Sequence, residues 1–198
     1  MSPKAEALGS AWLRLQGLRV KPQSTNISLR EITADTVRAV TSLSVAENQK
    51  HFVASNAISL AQALFAPEAW YRAIYCSDEL VGFVMLYDES FAVAPPEKPR
   101  VGVWRLMVDS KYQGKGIGRA ALTQVIEYVR GKRIFTSLQL SYVPGPECPE
   151  HFYLGLGFRH TGRVDEGQIV LELNLAQSEA KPSVEARPNG KPPGPASR

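Results

Sequence analysis

The sequence predicts a mixed sheet with helices on both faces, of the α/β or α+β class. Three observations predict it. Segments that alternate apolar and polar residues are interleaved with segments of helical period. Three consecutive strands precede strand–helix–strand units, which means a mixed sheet with helices on its faces. The chain has 198 residues, 44% hydrophobic and 21% charged, enough apolar surface for one domain core.

Residues 27–32 (ISLREI) alternate and read as the first strand. Thr33 to Asp35 supply a cap for a helix through Val37, Val40 and Leu43. A polar linker with Ala46, Glu47, Asn48 and Gln49 follows. Residues 58–65 read as a second short helix, stopped before Pro67, since proline lacks a backbone donor and disfavours helix in the residue before it. Residues 70–76 and 80–87 are two strands joined at Ser77, Asp78 and Glu79, a hairpin pattern. A proline-rich loop, 94–99, leads to residues 101–108, a near-continuous apolar run expected to be a central strand buried on both faces. Gly114 to Gly118 open a helix through Leu122, Val125, Ile126 and Val129. Residues 134–140 alternate as a strand, 150–156 form a short helix, and 158–162 and 168–175 close the domain as two strands.

Three regions follow: an N-terminal extension (1–25) expected to be flexible, a domain (26–175), and a disordered tail (176–198). The extension holds Trp12, Leu13, Leu15, Leu18 and Val20, suited to a short amphipathic turn ended by Pro22. The tail has almost no bulky apolar residue, so burial cannot offset its ordering entropy. Of the net charge of +4 at pH 7, the extension carries +3 (Lys4, Arg14, Arg19 and Lys21 against Glu6). The tail carries +2 (Lys181, Arg187, Lys191 and Arg198 against Glu179 and Glu185), which leaves the domain at −1. A basic footprint for nucleic acid belongs on the folded face that meets phosphate, so that partner is not expected. No apolar stretch approaches the ~20 residues of a membrane span, and no membrane partner is expected. Two cysteines, Cys76 and Cys148, make neither a disulfide framework nor a zinc ribbon, which points to reducing cytoplasm. The three histidines, His51, His151 and His160, lack metal-ligand spacing, so no metal is expected.

The stretch richest in chemistry runs from Arg105 to Arg119, a buried strand passing into Gln113-Gly114-Lys115-Gly116-Ile117-Gly118-Arg119. The first amides of a helix have no internal partner and the helix dipole is positive there, so such a turn favours a pyrophosphate. Glycine lets phosphate oxygens approach the backbone, and Lys115 and Arg119 add charge at the rim. A P-loop would need Gly-Lys-Ser/Thr at its end, and Gly118 is followed by Arg119 and Ala120. A dinucleotide site would need Gly-x-Gly-x-x-Gly and an acid ending the next strand, which here ends in Gln139, Leu140 and Ser141.

Gln113 to Gly118 match Gln-x-x-Gly-x-Gly, and the chain from about 27 to 175 resembles the Gcn5-related N-acetyltransferases (GNAT). Residues 151–158 (HFYLGLGF) are similar to that family's Phe-Tyr-x-x-x-Gly-Phe segment. Residues 53–63, 104–108 (WRLMV) and 140–144 resemble its bacterial spermine/spermidine (diamine) branch. The resemblance implies the GNAT fold, with a mixed, mostly antiparallel sheet of six or seven strands, acetyl-CoA as acetyl donor, and direct transfer to a primary amine, most readily a polyamine or other small amine. It implies that the backbone of Leu106, Met107 and Val108 meets the acetyl–pantetheine arm, that Gln113, Gly114, Lys115, Gly116, Ile117, Gly118 and Arg119 hold the pyrophosphate, and that Tyr153 is the general acid. A phenol of pKa about 10 suits protonation of a thiolate. It is compatible with a homodimer. One position departs from the family: the asparagine that binds pantetheine in many relatives is replaced by Pro146.

A polycationic acceptor needs carboxylates, for which Glu47, Asp88 and Glu89 are the candidates; Tyr87 and Trp104 are more readily core aromatics than walls of a methylene channel. Cys148 and His151, three apart, raise an acyl-cysteine route without a third partner to orient it. Three other readings stand beside the leading one: acetyl transfer to a protein amine or an aminoglycoside, a non-catalytic acetyl-CoA sensor, and a nucleic-acid-binding module, which the neutral domain disfavours.

Overall fold

The computed structural model describes residues 26–176, so the expectations for the extension and almost all of the tail lie outside the described residues. Its strands are β1 (Ile27–Arg30), β2 (Ala69–Cys76), β3 (Glu79–Asp88), β4 (Val101–Val108), β5 (Ser137–Tyr142), β6 (Arg159–Asp165) and β7 (Gln168–Asn174). Its helices are α1 (Val37–Ser42), α2 (Asn56–Ala63), α3 (Ile117–Lys132) and α4 (Glu150–Leu154). The seven strands form one sheet in the order β1-β2-β3-β4-β5-β7-β6, antiparallel at every pairing except β4 with β5.

Alternate residues of the β1–β4 half point to opposite faces and enter different clusters. Ile74, Val84, Leu86, Val101 and Val103 pack with Leu122, Val125, Ile126 and Val129 of α3. Ala73, Phe83, Met85 and Met107 pack with Val40 of α1 and, at the edge, Leu60 and Ala63 of α2. No residue of β5, β6 or β7 joins this second cluster; Gln139, Ser141 and Glu172 occupy that face of the other half instead.

Element boundaries differ from the sequence pattern where caps act. α2 begins at Asn56 because the Ser55 hydroxyl accepts from the Ile58 amide at 3.3 Å. It ends at Ala63, leaving Leu64 and Phe65 exposed before Pro67. α3 ends at Lys132, capped by Arg133 at φ 56°, which delays β5 to Ser137, while Phe135 is buried in the core beside the helix. α4 stops at Leu154, and the following strand runs three residues beyond Gly162, because Glu166 and Gly167, both at positive φ, make the tight β6–β7 turn. No helix among the described residues is long and apolar enough to cross a membrane.

Candidate active site

The site starts from a separation of strands. β4 and β5 pair only at Gly102 with Gln139 and Val103 with Leu140. Beyond these pairs the β5-facing edge of β4, residues 104–108, has no strand partner, and a cavity of about 1180 Å³ opens there. Trp104 is the extra residue of a bulge: Met85 pairs with Arg105, but Leu86 pairs with Val103. This corrects the expectation of a strand buried on both faces. Trp104, Arg105, Leu106 and Val108 are half-buried and line the groove, while Met107 is buried. Gly82 lets β3 lie close beneath: a Cβ there would stand 2.5 Å from the Met107 carbonyl oxygen.

At one end of the groove lies the glycine turn. Gly114 and Gly116 have φ of 73° and 77°, a region costly to other residues, and nothing lies within 4 Å of where their side chains would start. Gly116 caps α3, whose first internal hydrogen bond runs from the Ala120 amide to the Gly116 carbonyl at 3.0 Å, leaving the amides of Ile117, Gly118 and Arg119 without intrahelical partners. Open space over free amides at a helix N-terminus is what a diphosphate requires. Gly118 adopts no unusual φ; a Cβ there would meet Phe152 of α4 at 3.6 Å and Val108 at 3.7 Å, an ordinary packing contact. Gln113 bends back, its side-chain amide donating to the Val108 carbonyl at 2.9 Å and to Gln49 at 2.8 Å. Lys115 is exposed and outside the groove lining, its ammonium donating to the Lys111 carbonyl at 3.3 Å, and Arg119 donates to the Gly155 carbonyl at 2.9 Å, joining α3 to α4. Asp109 fixes the start of the turn, accepting from the Lys111 amide at 3.1 Å and the Ser44 amide at 3.0 Å.

Tyr153 reaches the groove from α4. Its ring packs edge-on against Phe152 at 5.1 Å and Phe158 at 6.0 Å. Burial disfavours the phenolate and pushes its pKa up to about 12, so the hydroxyl keeps its proton. The helix is anchored at its start by an arrangement without a sequence motif: the Tyr142 hydroxyl donates to Glu150 at 2.6 Å, and His160 approaches the same oxygen at 3.0 Å. That hydroxyl, with the two nearby histidines, holds the Glu150 carboxyl below its usual range. At the departing position, Pro146 adjoins Glu147, whose carboxylate lines the groove and accepts from Asn48 at 2.5 Å. Cys148 and His151 do not line the groove.

The expected acceptor carboxylates are placed unevenly. Glu47 is exposed and paired with Lys50 at 2.6 Å, outside the groove lining. The structure does not bring Asp88 to the groove. It is fully buried, accepts from Ser90 and is bound by the Lys132 ammonium at 2.6 Å. Glu89 is held by Arg100 in the same manner, and that guanidinium keeps its carboxyl below the usual range. Tyr87 and Trp104, expected in the core, instead line the groove, edge to face at 6.2 Å. Asp165, Glu166 and Arg105 also line it. Periodicity could not single out the first two in a polar turn, and Arg105 was hidden in an apolar strand.

The family model described as Acetyltransferase (GNAT) family matches residues 37–158. The chain belongs to this family. It is an acetyl-CoA-dependent N-acetyltransferase of GNAT fold. Among curated proteins it is 28% identical over 160 residues to a spermine/spermidine N(1)-acetyltransferase of Bacillus subtilis (strain 168), covering 76% of this chain and 99% of that one. A probable spermine N(1)-acetyltransferase of Bacillus subtilis subsp. natto (strain BEST195) matches to the same extent. Among solved structures, the GNAT fold is shared with the aminoglycoside acetyltransferase AAC(6')-Ib in complex with coenzyme A, at a TM-score of 0.62 and 13% identity over 75% of this chain and 95% of that one. The PaiA N-acetyltransferase of Thermoplasma acidophilum in complex with coenzyme A gives a TM-score of 0.53 and 16% identity over 75% and 99%.

Proposed function

We propose that this GNAT protein transfers the acetyl group of acetyl-CoA to a primary amine of a small molecule by direct attack, with a polyamine as the acceptor class that the two Bacillus relatives support. One observation carries the reading: a single groove joins the free amides at the start of α3, the unpaired edge of β4 and the hydroxyl-bearing Tyr153. In this reading the diphosphate lies on residues 113–119 and the pantetheine extends along β4 as an added strand would. The thioester oxygen meets the amide near Met107. A neutral amine attacks the carbonyl carbon, the C–N bond forms and the C–S bond breaks. Tyr153 protonates the departing thiolate and the amine proton passes to water.

A second acceptor class, an amine that also carries a carboxylate, is favoured by one observation: Arg105, a half-buried cation, lines the groove. Release of free CoA over a panel of spermidine, spermine, amino acids, a lysine peptide and an aminoglycoside tests the proposal. Turnover with a small amine at the top of the panel supports it. A panel without turnover, in protein that binds acetyl-CoA, replaces it with a sensor.

A further inference from the structure

We propose that Arg105 is the specificity-determining residue of the acceptor end, and that it takes a carboxylate carried by the acceptor amine, making the substrate an amino-acid-like molecule. This rests on acetyl transfer to a small-molecule amine, and it puts an amine that also carries a carboxylate in place of the polyamine.

Three other arginines of the domain have acids: Arg30 with Asp78, Arg72 with Glu31, Arg100 with Glu89. Arg119 and Arg163, which also line the groove, have neutral partners in the Gly155 carbonyl and Gln139. Arg105 has no carboxylate within 4 Å among the described residues. One terminal nitrogen donates to the adjacent Trp104 carbonyl at 2.7 Å, and the other makes a long 3.4 Å contact with the side-chain oxygen of Gln62 on α2. Its Nε is closed to solvent and has no partner, the one buried side-chain polar atom so placed among the described residues. Burial disfavours this cation, but a guanidinium stays charged at any ordinary pH.

A half-buried cation with only neutral partners and an unmade Nε hydrogen bond is a costly arrangement in the free protein, and a carboxylate on the terminal nitrogens would offset that cost. The planar guanidinium fork matches a carboxylate in two parallel hydrogen bonds. The walls fit the same ligand. Arg105 stands 5.4 Å from the centre of the Trp104 ring, and Trp104 meets Tyr87, giving an apolar surface for the carbons between the two charged ends. An ammonium placed against Arg105 would meet like charge. The groove's acids, Glu147 on the β5–α4 loop, Asp165 at the end of β6 and Glu166 in the turn after it, are exposed, where they can attract the amine.

The test compares wild type, Arg105→Gln and Arg105→Lys on a graded series of ω-amino acids from glycine upward, with n-alkylamines and α,ω-diamines of equal length. Wild type is expected to favour at least one amino acid over both matched amines by about tenfold or more in kcat/KM, in keeping with a charged hydrogen bond. Arg105→Gln raises KM for that amino acid by about the same factor with little change in kcat, and Arg105→Lys recovers part of the loss. Preference for the diamine in wild type, or an equal loss by Arg105→Gln on all three series, overturns the proposal. Acetyl-CoA affinity of each variant reports its fold. Should no amine release CoA, the acetyl-transfer reading fails by itself; calorimetry of the same amino acids with CoA-loaded protein then decides on Arg105, with Arg105-dependent binding in its favour and no binding against it.

Discussion

At the glycine-turn end of the groove the groups on offer are backbone amides from one stretch of chain, residues 106–119. At the other end they are side chains: Gln62 of α2, Tyr87 of β3, Trp104 and Arg105 of β4, Asp165 and Glu166 of the β6–β7 turn. A backbone site tolerates change in every side chain except those that would block it, so its requirement appears as glycines at fixed spacing. A side-chain site is assembled by the sheet order, and its members are far apart in sequence. The first kind of site tells what donor a protein uses, and the second what it acts upon.

The largest expected effect breaks the backbone end. Gly116→Glu places a carboxylate in the open space over the first amides of α3, and loss of acetyl-CoA affinity by more than about a hundredfold is expected from bulk and like charge. The strain of a side chain at φ 77 costs only about 1–2 kcal/mol, so the fold survives. Calorimetry with acetyl-CoA checks this; normal affinity would move the diphosphate off this turn.

The difference between the ends also explains what could be read from the sequence. Strands β2 and β3, the hairpin between them and the turn into α3 were legible, because each depends on local period or on glycine. The half-burial of Trp104 and Arg105 was not, since an apolar run looks the same whether its neighbour strand stays paired or splays away. Glu47 and Asp88 were equally plausible acids in the sequence. Only the register that sets Asp88 opposite Val101, at the far end of β4 from the turn, with Lys132 of α3 beside it, separates them.

Tyr153→Phe sharpens the junction between the two ends. The ring contacts with Phe152 and Phe158 remain, so stability and acetyl-CoA affinity are expected to hold while kcat falls by about a hundredfold, the range of a lost general acid. Because burial raises the phenol pKa to about 12, the protonated donor persists through the alkaline range. The wild-type kcat profile therefore rises as the acceptor amine loses its proton and shows no fall attributable to Tyr153 below about pH 11, roughly one unit under that value. An unchanged kcat in the variant takes Tyr153 out of the mechanism.

Asp88→Asn probes whether an acid outside the groove matters to catalysis. Removing one partner of a buried pair leaves Lys132 uncompensated, so a loss of about 3 kcal/mol in unfolding free energy is expected. The kinetic constants of the folded fraction should change by less than about twofold, as for a residue without ligand contact. A fall in kcat/KM for the amine at unchanged stability would return Asp88 to the acceptor site.

Glu47→Gln should do least. Its carboxylate is 86% exposed and pairs with Lys50 on the same short turn, the kind of surface pair worth about 0–1 kcal/mol. Yet Lys50 lines the groove, so freeing it adds an unpaired cation near the acceptor path. The sign of the small effect then depends on the acceptor: a polyamine would bind more weakly, whereas an amine with a carboxylate would bind as well or slightly better. The expected change in KM is less than about threefold, within the reach of one screened surface charge. A tenfold rise in KM for every amine tested would instead make Glu47 a direct ligand of the ammonium and bring the side-chain end of the groove out to the α1–α2 connection.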